Sequence, residues 1–325
     1  MRICFVVNER REPSVEQTTT LLISAAARRG HQIVVCGVGD FTAGDEGAIQ
    51  VRGCLAGGDD PATVVRGLVA DAASSHRLDE QDLCIIRTNP GRDEGRRAEH
   101  VAALRLLERL EDRGVRVINR PRGLSRALTK LSLLELPQSS RPRTLVTRDV
   151  AAIEQFLEEQ PDRIVIKPLD GTRGLDVFVL ERKGSRANVK QIIEVVLRRG
   201  YAMVQEFVPG AEQGDVRVTV VNGSILEIDG RPAAVARVPS GSDFRSNLHA
   251  GGVARATDVT DTMREAVMQI APYLRQEGLA HVGVDFVGGR ILELNVFSPG
   301  GLYPSEHLYG QDFSNAVIEA FEREP

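Results

Sequence analysis

His281-Val282-Gly283-Val284-Asp285-Phe286-Val287-Gly288-Gly289-Arg290-Ile291-Leu292-Glu293-Leu294-Asn295-Val296 reads as two strands around a glycine turn. Directly opposed residues of an antiparallel pair share a face. A regular two-residue loop, Gly288-Gly289, would set Val284 against Glu293 and Asp285 against Leu292, mixing carboxylates and aliphatics on both faces. A three-residue loop, Gly288 to Arg290, instead pairs Val282 with Val296, Val284 with Leu294 and Phe286 with Leu292. One face is then apolar, and the other sets Asp285 opposite Glu293 with Asn295 two residues along. Two facing carboxylates call for a cation between them, a shared proton or full solvation. An oxygen-only set suits magnesium, which takes carboxylate and amide oxygens and completes its shell with water and phosphate. A solvated polar face on a half-exposed hairpin accounts for the same pattern without a metal.

Around this hairpin the chain is an ordinary globular one. Its 325 residues carry a net charge of -4, so no basic field recruits nucleic acid. The apolar run from Ile3 to Val7 is too short for a membrane span or a signal peptide, and the chain reads as cytoplasmic, without a membrane partner. Cys4, Cys36, Cys54 and Cys84 form no C-x-x-C pair and read as buried thiols of a reducing compartment.

Hydrophobic periodicity divides the chain into three parts. Residues 1–120 alternate strands (3–7, 32–36, 83–86, 115–118) with helices (about 15–29, 61–73 and 96–113), the pattern of an open parallel α/β sheet. Residues 121–200 open with a helix over about 124–136, pass a turn-rich joint at Pro137 to Pro142, and continue as a small α+β lobe. Residues 201–325 are dominated by short strands, with a long helix over about 258–277. The fold class is therefore α/β combined with α+β.

No G-x-x-x-x-G-K-[ST] run and no G-x-G-x-x-G after the first strand is present. A phosphate cradle has to come from Ile164-Val165-Ile166-Lys167-Pro168-Leu169-Asp170-Gly171-Thr172-Arg173-Gly174. There a buried-type strand delivers Lys167 into a loop whose Gly171 and Gly174 let backbone N–H groups approach phosphate oxygens. A tight turn is the plainer reading of the same residues. Met203 to Pro209 ends an apolar strand in polar groups, including Glu206, that can face an adenine edge. Asp215-Val216-Arg217-Val218-Thr219-Val220 alternates, putting Arg217 and Thr219 on one face. Residues 237–252 form a long loop with Arg237 and Arg245.

In this order the segments resemble the ATP-grasp superfamily, most closely the bacterial glutathione synthetases. The resemblance runs through Asn119-Arg120-Pro121, Lys167-Pro168-Leu169-Asp170-Gly171, Asp215-Val216-Arg217-Val218, Asn247-Leu248-His249-Ala250-Gly251-Gly252, and Val282-Gly283-Val284-Asp285 leading to Glu293-Leu294-Asn295-Val296-Phe297-Ser298-Pro299. It implies an ATP-grasp fold behind an N-terminal α/β domain. Lys130 and Lys167 would be the nucleotide-phosphate lysines, with Gly171 and Gly174 in the phosphate loop. Gln205, Glu206, Phe207 and Val208 would form the adenine hinge, and Asp215 the ribose contact. Asp285, Glu293 and Asn295 would be ligands of magnesium or manganese. Arg217, Arg237, Arg245 and Asn247 would surround the acyl donor and the transferred phosphoryl group, and His249 lies in the same loop.

The implied reaction is ATP-dependent joining of a carboxylate to an amine through an acylphosphate, with γ-glutamylcysteine and glycine as substrates in a homo-oligomeric enzyme. A related ligase for another peptide, amino acid or specialised metabolite is the alternative. A nucleotide-binding regulator without turnover is the reading from another class. The chain departs from the family at three places. Thr172-Arg173 stands in the phosphate loop. Arg87-Thr88-Asn89-Pro90-Gly91-Arg92-Asp93 replaces an Asp-Pro-Pro-Phe-Asp run, and Ser298-Pro299-Gly300-Gly301-Leu302-Tyr303 replaces Ser-Pro-Thr. Arg87, Ser298, Gly300 and Gly301 are accordingly the candidate substrate contacts.

Overall fold

A computed structural model of the chain describes residues 1–45, 47–170, 176–239 and 252–323. The strand Arg2–Val7 is the centre of the first sheet. It runs parallel to Gln32–Gly37 on one side and Leu83–Ile86 on the other, and Arg116–Ile118 extends the parallel order. Ile3 to Val6 are fully buried because helices cover both faces, which is why the strand carries no polar alternation. The expected all-parallel sheet gains an antiparallel edge. Ile49–Ala56 pairs with Gln32–Gly37 and carries Phe41–Ala43 and Ser74–Arg77 in turn. Its Ile-Gln-Val-Arg start alternates buried and exposed residues, the pattern of a half-covered edge.

The last helix, Phe313–Arg323, does not belong with the strands that precede it. Phe313, Val317, Ile318 and Phe321 share one core with Ile3, Phe5 and Leu22, so the lobe expected over 201–325 returns its C-terminus to the first lobe. A second correction concerns the boundary at 200. Ala202–Glu206 is the third strand of an antiparallel sheet with Thr144–Thr147, Arg163–Pro168 and Phe178–Glu181, so the boundary expected there cuts through that sheet. The helices Val150–Glu158 and Arg186–Leu197 supply its core through Ile153, Phe156 and Ile193.

The helix expected over 124–136 is broken. Pro121–Arg126 is helical, and Lys130–Glu135 is a separate 3-10 turn. Thr129 accepts the Leu131 N–H, and the Lys130 N–H goes to Leu169 O, just past the strand Arg163–Pro168, instead of to the residue four back. Lys130 is thereby held beside the loop that follows Lys167.

The third sheet is centred on Asp215–Val221, flanked by Ala234–Val238 and by the hairpin His281–Val287 with Arg290–Asn295. The hairpin combines features of both registers weighed above. Val287 pairs with Arg290, so the loop is the two-residue Gly288-Gly289, with φ of +53° and +79° as a primed turn requires. Asp285 nevertheless opposes Glu293, and Val284 opposes Leu294, because a bulge at Leu292 absorbs one residue between Phe286–Ile291 and Asp285–Glu293. The three-residue loop is therefore incorrect, while the shared face of Asp285 and Glu293 stands.

Because Phe321 is fully buried in the first lobe, Phe321→Ala should cost about 3–5 kcal/mol. It should lower the urea midpoint of the Arg2–Val7 sheet as read by hydrogen exchange. A loss below about 1 kcal/mol would mark the helix as a surface appendage.

Candidate active site

The site grows from the polar face of the third sheet. Opposed pairing places Arg217 across from Asp285 on one neighbour and Asp215 across from Arg237 on the other. Arg217 Nε and Nη2 donate to the two oxygens of Asp285, each at 2.7 Å, a bidentate fork. Arg237 Nη2 lies 2.8 Å from Asp285 Oδ2, and its Nε donates to Asp215 at 2.6 Å. Asn295 Nδ2 adds a 3.2 Å bond to Asp285 Oδ2. Asp285 and Arg237 are 3% and 7% exposed. Burial by itself would push the Asp285 carboxyl up, but Arg217 and Arg237 outweigh it and hold it well below the usual carboxylate range. Arg237 is raised in turn, with burial opposed by Asp285 and Asp215.

Lys167 enters from the second lobe at the end of Arg163–Pro168. Burial lowers its pKa to about 8 against the attraction of Glu293 and Asp285, with Lys130 adding to the lowering. Two lysines and two acidic residues from three segments thus influence one another. Lys130, Glu293, Asn295 and Ser298 line one cavity of about 450 Å³. A second cavity, of about 340 Å³, is lined by Arg87, Arg217, Arg237, Ser298, Gly300 and Gly301. Ser298 and Asn89 border both. The four candidate substrate contacts are therefore gathered beside the arginine pair.

The hinge candidates lie at the edge of the second lobe. Gln205 is buried and donates to Thr144 Oγ1 at 3.1 Å, and the Glu206 N–H donates to Arg143 O at 3.0 Å. Phe207 carries the Arg163 guanidinium 3.8 Å over its ring, and Val208 O accepts from the Ala211 N–H. Asp215 is engaged by Arg237. Gly171, Gly174, Thr172, Arg173, Arg245, Asn247 and His249 lie outside the described residues.

Some contacts had no reading in the sequence. Asn119 donates to His281 O and Val296 O at 2.8 and 2.6 Å and accepts the His281 N–H at 2.7 Å, tying the first lobe to the open end of the hairpin. His281 is buried against Arg87, with its Nδ1 3.5 Å from Arg87 Nη1. Burial, then Arg87, lowers its pKa well below the ordinary value, so the ring is neutral. The run Thr18-Thr19-Thr20 starts the first helix at the wall of the second cavity. A threonine run before an apolar helix was the available signal.

Among the described residues, no group of three or more His, Cys, Asp or Glu side chains is placed to hold a metal. The donor set instead comprises two carboxylates and an amide, which fits a hard divalent cation that takes its other ligands from water and phosphate. Asp285 Oδ1 accepts only from Arg217 among these groups, leaving one of its lone pairs for such an ion.

Two lysines, an oxygen-donor set on a hairpin and an arginine-lined cavity meet in a chain whose family makes it an ATP-dependent ligase of the ATP-grasp type. The prokaryotic glutathione synthetase N-terminal domain family matches residues 1–125, and the ATP-grasp domain of prokaryotic glutathione synthetase matches residues 129–310. The chain belongs to the prokaryotic glutathione synthetase family. The glutathione synthetase of Synechococcus elongatus is 32% identical over 332 residues, covering 99% of this chain and 98% of the relative. That of Vibrio parahaemolyticus is 35% identical over 248 residues, 76% of this chain and 74% of the relative. D-cycloserine synthetase DcsG shares the fold with a TM-score of 0.67 at 18% identity, covering 98% of each chain. The ATP-grasp ligase PsnB with its minimal precursor does so with a TM-score of 0.65 at 21% identity, covering 99% of this chain and 98% of the other.

Asp285→Asn leaves two arginines facing each other without the shared anion and should cost about 3–5 kcal/mol in stability. Glu293→Gln, half-exposed at the cavity wall, should abolish turnover with stability changed by less than about 1 kcal/mol; near-normal turnover of Glu293→Gln would contradict the placement. Triphosphate binding should also restore the charge of Lys167. At pH 8.5, calorimetry in two buffers of different ionisation enthalpy should register proton uptake on ATP binding. The uptake should fade at pH 6.5, where Lys167 is already charged, and vanish in Lys167→Met.

Proposed function

We propose that the chain makes glutathione from γ-glutamylcysteine, glycine and ATP, with magnesium held by Asp285, Glu293 and Asn295. The observation that carries this reading is the junction of the two cavities at Ser298. One side supplies Lys130, Glu293 and Asn295 for the triphosphate end of ATP. The other supplies Arg87, Arg217 and Arg237 for an acid. A carboxylate placed at the junction meets the γ-phosphate with its charge offset on both sides.

In the reaction a carboxylate oxygen of γ-glutamylcysteine bonds to the γ-phosphorus as ADP leaves, giving an acylphosphate. The deprotonated glycine amine then bonds to the acyl carbon, the carbon–oxygen bond to phosphate breaks, and the amide and inorganic phosphate result. The cation supplies charge neutralisation of the phosphates when bound. Lys167 and Lys130 bind phosphate oxygens, while Arg217 and Arg237 orient the carboxylate and offset the charge that develops on it. The buried walls keep water from the acylphosphate. Gln205 to Val208 receive the adenine, Asp215 the ribose, and Arg245 and Asn247 complete the acyl side. His249 is assigned no step. The four cysteines are free and buried, and no helix among the described residues is long and apolar enough to cross a membrane. A cytoplasmic homo-oligomer is the assembly that accords with the family.

Phosphate release tests the assignment. Release should require γ-glutamylcysteine and glycine together. Release with other acid–amine pairs alone would make the chain a ligase for another metabolite, and ATP binding without release under any pair would make it a regulator.

A further inference from the structure

The floor of the second cavity holds a charge that meets no counter-charge among the described residues. Arg87 is 5% exposed, and its guanidinium donates to Thr19 Oγ1 at 3.2 Å, Pro299 O at 2.9 Å and His281 Nδ1 at 3.5 Å, all neutral partners. Burial is what lowers its pKa, to about 9. A buried cation satisfied only by dipoles retains a strong demand for an anion. Asp285 and Asp215 do not meet it, being engaged by Arg217 and Arg237.

A second feature of the same floor points to the same ligand. The helix Thr18–Arg28 begins at the cavity wall, with no side-chain cap from Gln17 and no acidic residue in its first turn. Its leading N–H groups have no acceptor within the helix, and the helix dipole adds partial positive charge there. Thr18 is 4% exposed, lines the cavity, and its hydroxyl has no hydrogen-bond partner among the described residues. Thr20 is not available, because its hydroxyl donates to Ser14 O and Gln17 O. Glu12 and Glu16 stand at the exposed rim of this cavity.

We propose that Arg87, Thr18, Thr19 and the first-turn N–H groups of this helix seat a second carboxylate of the acid substrate, separate from the one that is phosphorylated. The acid is then a dicarboxylate ending in an α-amino acid head, whose ammonium faces Glu12 and Glu16. Arg87 and the helix terminus decide which acids enter, while Arg217 and Arg237 hold the carboxylate that reacts. This deepens the reading under Proposed function and rests on it for the choice of acid.

Calorimetric titration of the whole protein with γ-glutamylcysteine and with 4-aminobutyrylcysteine, which lacks only the head carboxylate, tests the seat. The analogue should bind roughly 10- to 100-fold more weakly, the scale of a charge-assisted hydrogen-bond pair. Arg87→Gln and the volume-conserving Thr18→Val should each weaken γ-glutamylcysteine and leave the analogue's weak binding unchanged, and Arg87→Lys should recover part of the loss. Equal binding of the two ligands by wild type, or equal weakening of both by Arg87→Gln and Thr18→Val, would overturn the proposal. If wild type binds neither ligand, γ-glutamylcysteine is the wrong acid, and sulfate replaces it as the probe. Millimolar sulfate should then bind wild type but neither variant. No sulfate binding, or equal binding by all three proteins, would overturn the seat itself.

Discussion

The carboxylate of Asp285 between Arg217 and Arg237 is the interaction on which the site depends. Two aspartates and two arginines alternate across three neighbouring strands, Arg237 and Asp215 on one pair and Arg217 and Asp285 on the next. Each like-charged pair alone would repel, and each member alone would be costly to bury. As a set they neutralise one another. The opposite side of the same strands carries Val218, Val220, Val282, Val284 and Phe286 into the core, so the position of the charges is fixed by the packing behind them. Glu293 adds a negative charge beyond this balance, and Lys167 is drawn toward it from the second lobe.

That arrangement explains why three lobes are needed. The first contributes Arg87 and the Thr18–Arg28 helix, the second Lys167, and the third the arginine–aspartate set. Asn119 fixes the first lobe to the third through both backbone groups of His281 and the carbonyl of Val296, the residue after Asn295. The two cavities that meet at Ser298 consequently keep a fixed separation. Charge neutralised in advance is what transfer between two anions requires, because no reorganisation remains to be done at the moment of reaction.

Much of this was legible in the sequence, and the exceptions have physical causes. Alternation in Asp215 to Val220 and the composition of the hairpin named the polar face, since one buried side forces the register. The loop length was misread because a bulge lets a two-residue turn coexist with the pairing of Asp285 and Glu293, and a bulge at Leu292 leaves no mark in a hydrophobic pattern. The break between Arg126 and Lys130 was hidden because its cause is a bond to Leu169, 39 positions away. Phe313 to Phe321 joins the first core for a similar reason: an amphipathic stripe announces that it will be buried, not against what. The fork from Arg217 to Asp285 was invisible as a pair, although each residue had been singled out.

The most direct measurement follows an oxygen atom. With both carboxylate oxygens of the cysteine residue in γ-glutamylcysteine labelled as 18O, one turnover with ATP and glycine should place one 18O in the released phosphate and leave one in the new amide carbonyl. That result is what phosphorylation of the acid by ATP at the junction of the two cavities requires. Phosphate free of label, with both heavy oxygens retained by the acid or released elsewhere, would contradict it.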